Sequence, residues 1–133
     1  MTDQTPVAVA TRYFDALRSG DVPGAMALFS PDIVWHQPGS NRFSGVRRGP
    51  AEVGAMIGDM MGVSQGTFQL AVTGSPMPNG DQVAVPVRFT GTREGASMDM
   101  GGIDLLTVRD GSIVEVALFS EDGPTEDAFW GQG

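Results

Sequence analysis

A chain of 133 residues with a formal charge of -8 lacks the concentrated positive surface that nucleic acid requires, and it contains neither cysteine nor lysine. Disulfides, thiolate nucleophiles, Schiff-base lysines and a Walker-type phosphate site are thereby excluded. The single histidine, His36, leaves no set of imidazoles for zinc or iron, so no cofactor and no metal is expected, although carboxylates retain the capacity to hold a hard cation such as magnesium.

One domain over residues 1–133 fits this length, with enough apolar content for a core. The opening Met1-Thr2-Asp3-Gln4-Thr5-Pro6 has no basic segment followed by an apolar run, and no later stretch is apolar enough to span a membrane. A cytoplasmic protein is the expectation. Exclusive use of arginine and frequent glycine point to a GC-rich bacterial genome.

The first predicted helix runs from about Pro6 to Arg18, with Thr5 as its cap, Pro6 in its first turn and Gly20 as its stop. Val7, Ala10, Tyr13, Phe14 and Leu17 share a face. Asp21 can cap a second short helix carrying Ala25, Met26, Leu28 and Phe29, after which Ile33-Val34-Trp35-His36-Gln37 reads as a strand halted by Pro38-Gly39. Pro50 opens a third helix, in which Val53, Met56, Ile57, Met60 and Met61 keep the spacing of a buried face. Its methionines suit plain core or an adaptable pocket wall.

Four strands follow, Gly66 to Val72, Gln82 to Arg93, Ala96 to Val108 and Ile113 to Phe119, separated by turns at residues 76–80, Glu94-Gly95 and Asp110-Gly111. Short successive turns imply antiparallel pairing. Helices first and strands afterwards predict an α+β fold with the helices on one face of a curved antiparallel sheet. Phe129 and Trp130, near the end, favour burial, and two placements fit: a lid over the mouth of the fold, or a patch against a second subunit.

Asp104 interrupts an otherwise apolar strand, Ile103-Asp104-Leu105-Leu106. Turned inward, its carboxyl has to find donors or stay protonated, as a tuned catalytic acid does; turned outward, it simply meets water. If Asp110-Gly111 is a two-residue turn with regular pairing, Asp104 opposes Ala117, and Glu115, Ala117 and Phe119 share its face. The other face then carries Ile103, Leu105, Val114, Val116 and Leu118, an apolar surface that predicts a homodimer.

Ala10-Thr11-Arg12-Tyr13-Phe14, the run from Asp32 to Pro38, Val85-Pro86-Val87-Arg88-Phe89, and Ile103-Asp104 with Ala117-Leu118-Phe119-Ser120 together give the chain a resemblance to the nuclear transport factor 2-like superfamily. That superfamily includes ketosteroid isomerases, SnoaL-type polyketide cyclases and limonene epoxide hydrolases. The resemblance spans nearly the whole chain and implies a cone-shaped fold, the curved sheet wrapped around three N-terminal helices.

In ketosteroid isomerases a tyrosine and a protonated aspartic acid donate to a developing enolate oxygen. Tyr13 and Asp104 match those positions. The isomerase's proton-moving aspartate falls at Gln37, whose amide cannot shuttle protons. His36 has a suitable pKa, but strict alternation turns it away from Trp35 and Gln37 unless a bulge near Pro38 brings it inward. SnoaL-type cyclases also use an aspartate at the place of Asp104, as acid and base in an intramolecular aldol closure, which makes cyclase the better analogy. Epoxide hydrolases set an arginine between two aspartates, for which Asp104 and a mouth-side Arg93 are a partial match.

The resemblance thus implies an enzyme, a cofactor-independent cyclase or isomerase acting on a hydrophobic carbonyl compound. Its candidate catalytic residues are Asp104, Tyr13 and His36. Trp35, Gln37, Val87, Phe89, Met56, Met60, Glu115 and Phe119 are the candidate substrate wall. The alternative is a noncatalytic small-molecule-binding or dimerisation module.

Overall fold

The computed structural model describes residues 3–132. Helix α1 spans Pro6–Arg18, and the Thr5 side chain accepts the Ala8 N–H at its start, as the sequence implies. Helix α2, Val22–Met26, is shorter than expected, because Phe29 already begins strand β1, Phe29–Gln37, and Leu28 lies between the two. Strand β2, Gly45–Arg48, leads into helix α3, Gly49–Val63, whose Val53, Met56 and Met60 are buried while Met61 is exposed. Met61 lies beyond the edge of the helical face that packs against β1 and β2.

The remaining strands are β3 (Gln69–Val72), β4 (Met77–Asn79), β5 (Gln82–Arg93), β6 (Ala96–Arg109) and β7 (Ser112–Ser120). Helix α4, Gly123–Trp130, follows them. Seven strands form one sheet in the order β2-β1-β7-β6-β5-β3, with β4 also on β5. Every pairing is antiparallel except that of β1 with β7. Helix α1 crosses β5, β6 and β7 on the inner face, where Val83, Val85, Val87 and Phe89 alternate inward with the exposed or half-buried residues between them.

The β6–β7 turn has Asp110 at φ 52° and Gly111 at φ 79°, the left-handed pair of a tight hairpin. Arg109 opposes Ser112 and Val108 opposes Ile113, but Thr107 then opposes Glu115, so Val114 is an extra, bulged residue. This bulge overturns the regular register. Asp104 faces Leu118, not Ala117, and Val116 and Leu118 turn inward while Glu115, Ala117 and Phe119 turn outward. The bulge gives β7 a one-residue shift that regular alternation does not contain.

Candidate functional site

Asp104 sits in the middle of β6, hydrogen-bonded through its neighbours to β5 and β7 and facing Val85 and Leu118 across the inner surface. It is 7% exposed, and Tyr13, projecting from α1 into the same interior, is 3% exposed. Among the described residues no side chain donates to the Asp104 carboxyl and no acceptor meets the Tyr13 hydroxyl, yet neither counts as a fully enclosed polar atom without a partner. Both groups therefore keep a small opening to solvent, from which a water or a ligand oxygen can bond to them.

Burial pushes the Asp104 carboxyl up to about 7, so near neutrality it holds its proton in a large share of molecules. Burial, reinforced by the adjacent Asp104 charge, pushes the Tyr13 phenol above its ordinary range and keeps it a hydrogen-bond donor. The Tyr13 ring packs 5.0 Å from Phe14 and 5.5 Å from Phe29, and Phe29 lies 6.2 Å from Trp35. Trp35 Nε1 donates to Gln37 Oε1 at 3.0 Å. This bond occupies the indole and part of the Gln37 amide, and both side chains are buried on the inner face with Val87, Phe89, Met56 and Met60.

Three expected site residues lie elsewhere. His36 pairs with Ala117 across β1 and β7 on the outer face, and its Nε2 is 2.7 Å from Glu115 Oε2. No bulge near Pro38 rotates it, so strand alternation holds it away from Asp104. Glu115, its partner, and Phe119, 55% exposed, are on that same outer face because of the Val114 bulge. Arg93 is likewise remote. It opposes Ala96, eight residues along β6 from Asp104, roughly 26 Å at strand rise, and its guanidinium donates to the carbonyls of Phe129 at 2.5 Å and Ala128 at 3.1 Å. It satisfies the C-terminus of α4, and an epoxide-hydrolase arrangement has no arginine beside Asp104.

Helix α4 packs on β6, and its two aromatics are buried against residues of the same chain. Phe129 and Trp130 are fully buried; Trp130 meets Phe43, Phe68 and Phe129 edge-on at 5.1, 5.5 and 4.9 Å. Phe129 presses so closely on Gly91 that a Cβ there would come within 2.9 Å of its ring. Gly91→Ala is thus expected to loosen α4, which a lower thermal midpoint and faster amide exchange in 123–130 would show. Glu126, buried beneath the helix, accepts from Ser120 Oγ at 2.5 Å and from Trp130 Nε1 at 3.3 Å. Burial raises its pKa, against the lowering effect of those two bonds. Asp127 accepts from Ser40 N and Asn41 Nδ2 at 2.8 and 2.9 Å.

These α4 contacts were missed from sequence, though Asp122-Gly123-Pro124-Thr125 carries a legible start signal: the Asp122 side chain accepts the Thr125 N–H and Pro124 sits in the first turn. Among the described residues no group of three or more His, Asp or Glu side chains converges to hold a metal ion, and no helix is long and apolar enough to cross a membrane.

The SnoaL-like domain family matches residues 10–116, a span that holds both Tyr13 and Asp104. The chain belongs to that family. This SnoaL-like chain is 45% identical to a protein of unknown function with a cystatin-like fold from Xanthomonas campestris, over 96% of its length and 99% of that chain, with a TM-score of 0.92. It is 29% identical to an uncharacterized protein of Mycobacterium tuberculosis over 98% of its own length and 99% of the relative's. A structure from Mesorhizobium loti described as a candidate SnoaL-like polyketide cyclase shares the fold at 24% identity and a TM-score of 0.68, covering 84% of this chain and 95% of that one.

Proposed function

We propose that this SnoaL-like protein is a cofactor-independent cyclase or isomerase of a hydrophobic, polyketide-like carbonyl compound, with Asp104 as acid and base. The supporting observation is a buried, unpartnered carboxyl brought by burial to about 7, beside a phenol that remains a donor. In an aldol closure the ionised form takes the α-proton, and the C–H pair becomes the new C–C bond. The attacked carbonyl's π pair moves onto its oxygen, which receives the proton from Asp104 while Tyr13 donates to it. Gln37 and Trp35 orient the substrate and move no proton.

Deuterium exchange at the α-carbon of aromatic 1,3-dicarbonyl compounds in D₂O tests this. Asp104→Asn is expected to slow exchange by about 10²- to 10⁴-fold, and Tyr13→Phe by less. Exchange by Asp104→Asn at the wild-type rate would remove the acid–base role.

A noncatalytic binding or dimerisation module is favoured by one observation. Two concavities of the surface, of about 730 and 280 Å³, are lined by α3 and by the β5–β6 end, and neither includes Asp104 or Tyr13.

A homodimer belongs to either reading, with its surface moved by the bulge. Leu105, Ala117, His36 and Val46 form one row across the outer face, flanked by Ile103 and the exposed Phe119. This mostly apolar row, with Phe119 exposed beside it, supports a homodimer through the outer face. Phe119→Asp is expected to convert a dimer to a folded monomer in light scattering, and a wild-type monomer at micromolar concentration would refute the dimer.

A further inference from the structure

Beside α3 runs an open groove of about 730 Å³, separate from Asp104, between the helix and the segment that precedes it. Phe43, Met56 and Val63 are its apolar lining, and Arg42 and Arg47 line it as well, with the Arg42 guanidinium reaching toward Gly131. Arg47 pairs with Trp35 across β1 and β2, so its side chain is directed to the inner side, toward α3, and is half-buried. Arg42 is fixed at its backbone, where its N–H donates to Gly131 O at 2.8 Å. Among the described residues neither guanidinium forms an ion pair, although Glu52 and Asp59 line the same groove and the chain has 16 acidic side chains against 8 arginines. Glu52 is occupied, its Oε1 accepting the Arg48 N–H at 2.8 Å at the start of α3.

The helical wall has a second property. Gly58 and Gly62 sit inside α3 with helical backbone, and a Cβ at either would meet nothing within 4 Å. Glycine there weakens the helix and relieves no clash or strain, so its effect is to leave the groove open. A concavity of this size, with an apolar floor and two unpaired guanidinium groups, has the character of a site for an amphipathic anion.

We infer that the α3 groove binds a small molecule with an apolar body and a carboxylate, its body over Phe43, Met56 and Val63 and its carboxylate at Arg42 and Arg47. The Asp59 charge on the same wall disfavours a second anionic group on the ligand. Asp104, Tyr13, Trp35 and Gln37 line no part of this groove, which shares only Met56 with the candidate substrate wall.

Decanoate, decanol and decylamine serve as probes of the intact protein, followed by amide and arginine Nε NMR shifts. Decanoate is expected to perturb Gly58, Gly62 and Arg47 and to bind at least tenfold more tightly than decanol, with decylamine weakest. Arg42→Gln/Arg47→Gln should reduce decanoate to the affinity of decanol, and Gly58→Leu, which has open space to enter, should lose both while keeping a native spectrum. Asp104→Asn should bind decanoate as the wild type does. Equal affinity for decanoate and decanol, shifts that spare the two glycines, or no saturable binding in the millimolar range would each overturn the inference.

Discussion

At about pH 8 the Asp104→Asn variant is expected to resist urea better than the wild type, while near pH 4 the two should unfold together. The sign follows from burial. An unfolded Asp104 loses its proton near the ordinary 3.8, but the folded one holds it until about 7. Its contribution to stability is complete below the unfolded value and is lost as pH rises through the folded one. That interval corresponds to about 4 kcal/mol at 1.36 kcal/mol per pH unit, an upper figure for the advantage of an uncharged amide of the same shape. Comparing two proteins that differ at one atom cancels the titration of the other carboxylates. Parallel curves across this range would mean that the Asp104 carboxyl is solvated when folded, and the acid–base proposal would lose its physical basis. ¹³C NMR of labelled aspartate measures the same titration directly.

Trp130→Ala is expected to cost about 3–5 kcal/mol, the range for truncating a fully buried aromatic. The indole fills the space among Phe43, Phe68 and Phe129, and its Nε1 is one of the two donors to the buried Glu126. Removing it leaves a cavity and leaves one carboxyl oxygen of Glu126 without its donor. The loss should appear as a shift of the urea midpoint together with rapid amide exchange in α4. A cost below about 1 kcal/mol would show that α4 is not anchored through this side chain.

Much of the architecture was legible because its signals are local. Thr5 and Pro6 start α1, Asp110-Gly111 makes a left-handed hairpin turn, and the alternation of Val83, Val85, Val87 and Phe89 marks the inner face of β5. That Tyr13 and Asp104 are both buried near one another follows the family resemblance and not spacing, since 90 residues lie between them. Helix α4 had its Asp122 cap and Pro124 in plain view, but two aromatics at its end gave no helical period over so short a segment.

The sequence by itself determined the α+β class, the starts of α1 and α2, the Glu94-Gly95 and Asp110-Gly111 turns and the exclusion of thiol and lysine chemistry, but not strand β4, which occupies Met77–Asn79 within the expected turn. Only the tertiary structure decided which side chains share a space with Asp104. One extra residue at Val114 reverses the facing of β7, so Val116 and Leu118 enter the interior while Glu115 and Phe119 join His36 outside. Period-two alternation carries no record of a bulge, because the unpaired residue is defined by its partner strand and not by its own neighbours. The ionisation of Asp104 belongs to the same level, since desolvation depends on what α1 and the facing strands place around the carboxyl.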